Sequence, residues 1–198
     1  MILLALIAAS GATFGQNGEQ VWLDSLEAYW SKLNTEFKDP EHSPLPPEAR
    51  EHFTVLDRFA PDPAFRVVAK VKRKAGKPFA MKTSTDRLPM YEPVAVLSFK
   101  LNGKKLRLTV YRNIDLSKKA EYVNYLFIPF TDSTNGTSTY GGGRYLELQG
   151  PLAEAVELDF NRAYNPYCAY GGRYSCPVPP AENHLPVAIE AGVKAFEH

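Results

Sequence analysis

One dipeptide, Asn102-Gly103, constrains the fold of this chain more than any other feature. The pair suits a two-residue turn with positive φ at both positions, and apolar and polar residues alternate away from it on both sides. With that turn as the centre, Phe99 faces Leu106, Leu97 faces Leu108 and Ala95 faces Val110, which makes one apolar face. Lys100 then faces Lys105, Ser98 faces Arg107 and Val96 faces Thr109, which makes a wet, basic one. A slip of one residue would turn every apolar side chain outward, so the pattern specifies an antiparallel pair and its register together.

Other segments extend the sheet and add one helix. Trp22, Leu26, Tyr29, Trp30, Leu33 and Phe37 recur at three- and four-residue steps, the stripe of an amphipathic helix over residues 17–37. Asn17 with Gln20 reads as its capping pair, and Asp39-Pro40 ends it. Both tryptophans lie on the stripe and are expected in the core. Strands are predicted over 65–71, 122–130, 145–149, 155–160 and 184–191, with turns at Pro61-Asp62-Pro63, Gly76-Lys77-Pro78 and Gly150-Pro151. In the 155–160 strand Val156, Leu158 and Phe160 point one way, and Glu157, Asp159 and Asn161 take the exposed side. Many short strands and one long helix predict an α+β fold: a mainly antiparallel curled sheet or partly open barrel with the N-terminal amphipathic helix packed on it.

At 198 residues, with 44% hydrophobic and 23% charged residues, the chain reads as one folded domain over 16–198. Residues 1–15 read as a signal peptide, with an apolar run at 2–9 followed by small residues, although no Lys or Arg follows Met1. Export to a periplasmic or extracellular space is the expectation, and an uncleaved N-terminal tether is the alternative. The run is shorter than the roughly 20 apolar residues a spanning helix needs. The net charge of +1 hides an asymmetry: four Lys/Arg against ten Asp/Glu in 1–65, fifteen against three in 66–119, and four against nine in 120–198. The basic middle reads as a solvated sheet face, and no nucleic-acid partner is expected.

Two turn-rich segments hold the polar residues from which a site can be built. DSTNGTSTYGGGR supplies Asp132, Thr134, Thr139 and Tyr140 with backbone N–H groups freed by glycine, and Arg144 as a forked cation suited to a phosphate or carboxylate. It lacks GxxxxGK[ST] and opens no helix, so it is not a Walker loop. The stretch 159–186 adds Asp159, Asn161, Tyr164, Asn165, Glu182 and Asn183, and both cysteines. The alternative for each polar residue is a brace that satisfies the loops' own backbone or pairs Arg144 with a buried carboxylate. Cys168 and Cys176 are separated by seven residues containing Gly171-Gly172, slack enough for a disulfide. Zinc completed by His184 with Glu182 or Asp159, a reactive thiol with His184 as base, and two buried thiols are the alternatives.

The words FIPFTDSTNGTSTYGGGRYLEL, DFNRAYNPYCAYGGRYSCPVPPAENHLPVAIEAG and LDRFAPDPAFRVVA resemble the DUF1684 family, bacterial and archaeal proteins of about this length whose function is not established. The resemblance covers most of the chain and implies no mechanism or cofactor.

GxSxG, HExxH, a helix-opening GxGxxG and the zinc-deaminase pattern are all missing. The functional expectation is therefore a binding module for a small anionic or polar ligand, in a pocket built by the 131–144 loop and the 159–186 segment. One alternative is a hydrolase using Asp159 or Glu182 as acid/base, with Arg144 holding substrate charge. Another is a structural or partner-binding domain. No catalytic residue, metal or cofactor is assigned.

Overall fold

The computed structural model describes residues 12–196, so the apolar run read as an export signal lies outside the described residues. Its elements are α1 (Ala12–Lys38), α2 (Pro47–Glu51), β1 (Arg66–Arg73), β2 (Phe79–Ala80), β3 (Met90–Leu101), β4 (Lys104–Asn113), β5 (Tyr125–Asp132), β6 (Arg144–Gln149), β7 (Ala155–Asp159) and β8 (His184–Leu185). Six strands form a curled antiparallel sheet in the order β6-β5-β4-β3-β1-β7, with β2 added to β3 and β8 added in parallel to β5. The fold class is α+β, as the patterning predicts.

Asn102 and Gly103 take φ of 48° and 75°, and the β3–β4 hairpin has the register read from the sequence, from Lys100 opposite Lys105 to Ala95 opposite Val110. Beyond Ala95 the register shifts before Pro93, which has no N–H to contribute to a ladder. Ala95, Leu97, Phe99, Leu106, Leu108 and Val110 are buried in the main core, joined by Ile128, Phe130, Leu146 and Leu158 from the neighbouring strands. On the opposite face Lys100, Lys105 and Arg107 are exposed, while Val96 and Thr109 are covered.

Thr109 is covered because β4 and β5 separate. Among the described residues their one ladder pair is Tyr111 with Phe127, and Asn183 fills the gap. Its Oδ1 accepts the Thr109 N–H at 2.7 Å, and its Nδ2 donates to the carbonyls of Thr109 and Pro129 at 2.9 and 2.7 Å. One amide side chain thus satisfies three strand groups that would otherwise be buried unpaired.

The helix begins upstream of the expected cap, at Ala12. Asn17 is inside it, and Gln20 donates to Asp24 rather than closing a capping box. It ends at Lys38, directly before Asp39-Pro40. The stripe buries Trp22, Leu26, Trp30 and Phe37 against Leu45, Leu56, Ala169, Tyr170 and Val193, so α1 packs mostly on the loops that cover the sheet and touches the sheet itself at the end of β7. Burying a side chain of this size stabilises the fold by about 1.5–3 kcal/mol.

Two expectations are corrected. Regular pairing of the last strand stops at Leu185 instead of running to 191. Pro186 lacks a donor, and the carbonyls of Ile189, Ala191 and Val193 accept from the Arg144 guanidinium rather than from a strand. Asp159 and Asn161 are buried, at 8% and 2% exposure, because α1 lays Trp22 over the end of β7.

Candidate functional site

Four of the predicted site residues come together, in a knot rather than in a cavity. Arg144 is wholly buried where β6 leaves the 133–143 loop. Its Nη2 donates to Asp132 Oδ2 at 2.9 Å and to the Ile189 carbonyl at 2.7 Å, and its Nη1 donates to the carbonyls of Ala191 and Val193. Asp132 Oδ1 accepts from the Thr134 N–H, the Thr134 hydroxyl and the Ile189 N–H. Thr139 bonds the Thr134 hydroxyl at 2.8 Å, and Tyr140 packs among the residues under α1. Burial pulls the Arg144 guanidinium below its ordinary pKa, opposed by the Asp132 carboxylate. The cluster braces the 133–143 loop and residues 187–193 against each other, and its anion fork is engaged with protein acceptors.

A second group clips α1 to the sheet. Trp22 Nε1 donates to Asp159 Oδ2 at 2.8 Å, and Asp159 Oδ1 accepts from the backbone and side-chain amides of Asn161. Asn161 also exchanges hydrogen bonds with the Asp62 backbone, which fixes the turn into β1. Glu182 is exposed and accepts the Tyr111 hydroxyl at 2.7 Å. With Asn183 in the β4–β5 gap, Asp159, Asn161, Glu182 and Asn183 belong to separate hydrogen-bond sets.

Cys168 and Cys176 form a disulfide with Cα atoms 6.1 Å apart. Bonded to each other, they present no thiolate to zinc or to a substrate. The Cys176 N–H donates to Ser84 Oγ, Ser84 N–H donates to the Cys176 carbonyl, and Arg87 Nη2 donates to the Ser175 carbonyl, so the 83–87 loop is clamped onto the cysteine loop. A disulfide of this kind belongs with an oxidising compartment. Among the described residues no helix is long and apolar enough to cross a membrane, and no group of three His, Cys, Asp or Glu side chains is placed to hold a metal.

The cysteine loop is one wall of a cleft of about 470 Å³. The sheet supplies the floor: Tyr145 and Glu147 of β6 stand opposite Pro129 and Phe127 of β5, with Tyr125 two residues further along β5 on the same face. Tyr91 of β3 packs on Phe127 at 5.8 Å. Helix α1 supplies Tyr29, Leu33 and Glu36 from the side, and Tyr164, Tyr167 and Tyr174 come from the chain around the disulfide. Eight of the eleven tyrosines line this one space. The hydroxyls of Tyr125 and Tyr164 both donate to Glu147 Oε1, the first at 2.7 Å. Burial holds both hydroxyls well above the ordinary tyrosine pKa, with the Glu147 carboxylate adding to the effect. A smaller cavity of about 280 Å³ adjoins on the other side of Tyr29, Glu147 and Tyr164 and reaches Asp159.

Of the eleven predicted ligand residues, Tyr164 and Asn165 line the larger cleft. Asn165 is buried, its Nδ2 donates to the Lys194 carbonyl, and its Oδ1 has no hydrogen-bond partner among the described residues. Sequence reasoning missed Glu147, Tyr29, Tyr125 and Tyr145. The available signal was a shared parity, Tyr145 and Glu147 on one strand and Tyr125 and Phe127 on the next, but it becomes a site only with the β5–β6 register.

Residues 51–194 match the family described as protein of unknown function, DUF1684. A search of curated proteins found no significant match. Among solved structures, the solution NMR structure of an uncharacterized protein from Haloarcula marismortui is 39% identical, with a TM-score of 0.71, over 92% of this chain and 99% of that one.

Proposed function

The chain belongs to the DUF1684 family, and from that premise we propose that it is an exported binding module whose small polar ligand sits in the tyrosine-lined cleft. The observation that carries the reading is the convergence of three separate elements, β5–β6, α1 and the cysteine loop, on one space of about 470 Å³ with a carboxylate at its floor. Ligand sites are typically clefts of roughly 300–1,000 Å³ with mostly apolar walls and a few fixed polar groups. The disulfide and the N-terminal apolar run support export. Binding is favoured over hydrolysis because the two candidates for acid/base work, Asp159 and Glu182, are engaged with Trp22 and Asn161 and with Tyr111. Binding of an anion at Arg144 loses its support for the same kind of reason, since its fork holds the chain's own carbonyls.

The test is an NMR titration of isotopically labelled protein with a panel of sugars, nucleosides, amines and carboxylates. Shifts clustered at Tyr125, Glu147 and Tyr164, lost in Tyr164→Leu with the rest of the spectrum retained, are the expected result. A panel that leaves those resonances unmoved, or that moves only residues elsewhere, overturns the reading.

A further inference from the structure

The hydrogen-bond directions inside the cleft carry the reading further, to the charge of the ligand. The Tyr125 and Tyr164 hydroxyls donate to Glu147, the Tyr145 hydroxyl donates to the Pro177 carbonyl, and the Tyr29 hydroxyl donates to the Arg162 carbonyl. The Tyr174 hydroxyl likewise donates to the Ser43 carbonyl. A tyrosine has one hydroxyl proton, so each of these five has its donor engaged by protein and offers a ligand only its oxygen lone pairs and its ring. An anion approaching these five would meet acceptors and the negative faces of rings.

A cation meets the opposite. Glu147 is exposed on the floor of the cleft, and both tyrosine protons converge on its Oε1, which leaves Oε2 open. Tyr145 and Tyr164 stand at 88° to each other with centroids 5.8 Å apart, and Phe127 is at 74° to Tyr145, so the rings form a corner rather than a flat stack. The charged side chains lining the cleft are Lys32, Glu36 and Glu147, and Lys32 pairs with Glu36 at 3.9 Å on the exposed side of α1. Nearby, Arg162 lies over the Tyr29 ring and beside Asp159, in the adjoining cavity. Glu147 is therefore the charge on the floor that lacks a cationic side-chain partner among the described residues.

Resting on the cleft being the ligand site, we infer that the ligand carries an ammonium group, held against the tyrosine faces with Glu147 as its counter-ion. Aromatic corners closed by a carboxylate suit alkylated ammonium ions, whose diffuse charge is attracted by ring quadrupoles and whose loss of hydration is small.

The experiment compares choline, tetramethylammonium and methylammonium with 3,3-dimethylbutan-1-ol, the uncharged carbon isostere of choline, and with acetate, by the resonances of Tyr125, Glu147 and Tyr164. The expected result is that at least one ammonium ion binds about tenfold or more tighter than the neutral isostere. That ratio falls toward one in Glu147→Gln, which keeps an oxygen to accept both hydroxyls. Equal binding of the isostere, or binding of acetate or another uncharged panel compound with no ammonium ion, overturns the ligand class and leaves the cleft as a binding site. No binding by any probe or panel compound overturns the class and the site together. The comparison among probes on the unaltered protein stands even where the Gln variant fails to fold.

Discussion

Arg144 and Asp132 form a fully buried ion pair at 2.9 Å, with both side chains at 0% exposure, and between them they bond the backbone of Thr134, Ile189, Ala191 and Val193. Removing one partner of such a pair leaves an uncompensated charge, which typically costs about 3–5 kcal/mol. Arg144→Met is therefore expected to lower unfolding free energy by that amount in urea titration. A loss below about 1 kcal/mol would mean that residues 187–193 hold their place without the guanidinium.

Asn183 offers a sharper contrast, because its amide serves one donor and two acceptors. Asn183→Ala strands three buried strand groups, and one unsatisfied group costs about 1–3 kcal/mol. Asn183→Asp keeps the bond to the Thr109 N–H but points a carboxylate at the carbonyls of Thr109 and Pro129, so the aspartate variant should be no more stable than the alanine one above pH 7. Thermal melts of the two variants decide this, and an aspartate variant matching the parent protein would refute the assignment.

The Cys168–Cys176 bond closes a loop with a sequence separation of eight. Chain entropy for a loop that short gives roughly 2.5 kcal/mol. The double substitution Cys168→Ser with Cys176→Ser should lose about that much. Because the 83–87 loop is clamped to the same segment, limited proteolysis should cut both loops first. Cleavage elsewhere before either of them would count against the clamp.

Burial raises the hydroxyl pKa of Tyr125, Tyr145 and Tyr164 well above the ordinary tyrosine value, with Glu147 adding to the first and third. Here the folded state holds its protons to higher pH than the unfolded state. The resulting stability is fully present below the unfolded pKa of about 10 and declines as pH rises past it. Spectrophotometric titration should show these tyrosines ionising only as the protein unfolds at alkaline pH. Reversible ionisation of all the tyrosines near pH 10 with the near-ultraviolet dichroism intact would contradict the burial.

The alternation around Asn102-Gly103 contains its own register, and the Trp22–Phe37 stripe contains its own buried face, because both depend on neighbours within a few residues. The same logic failed at 184–191, where an apolar pattern like that of a strand is held by Arg144 instead of by a neighbouring ladder. It failed at Asp159 and Asn161 too, where alternation implies solvent but Trp22 supplies a cover.

The chain's own pattern thus determined the α+β class, the central hairpin, the helix and the segments rich in fixed polar groups. Only the tertiary structure decided which of those groups brace the fold and which line a cavity. Asp132, Arg144 and Asn183 are consumed by backbone groups that arrive from distant segments, and hydrogen-bonding capacity used there is not available to a ligand. Glu147 and the tyrosines gain their role from the β5–β6 register and the placement of α1 and the cysteine loop, which bring residues more than a hundred positions apart into one cleft. A side chain's chemistry is local, but its partners are set by strand order and loop packing, and no spacing along the chain encodes those.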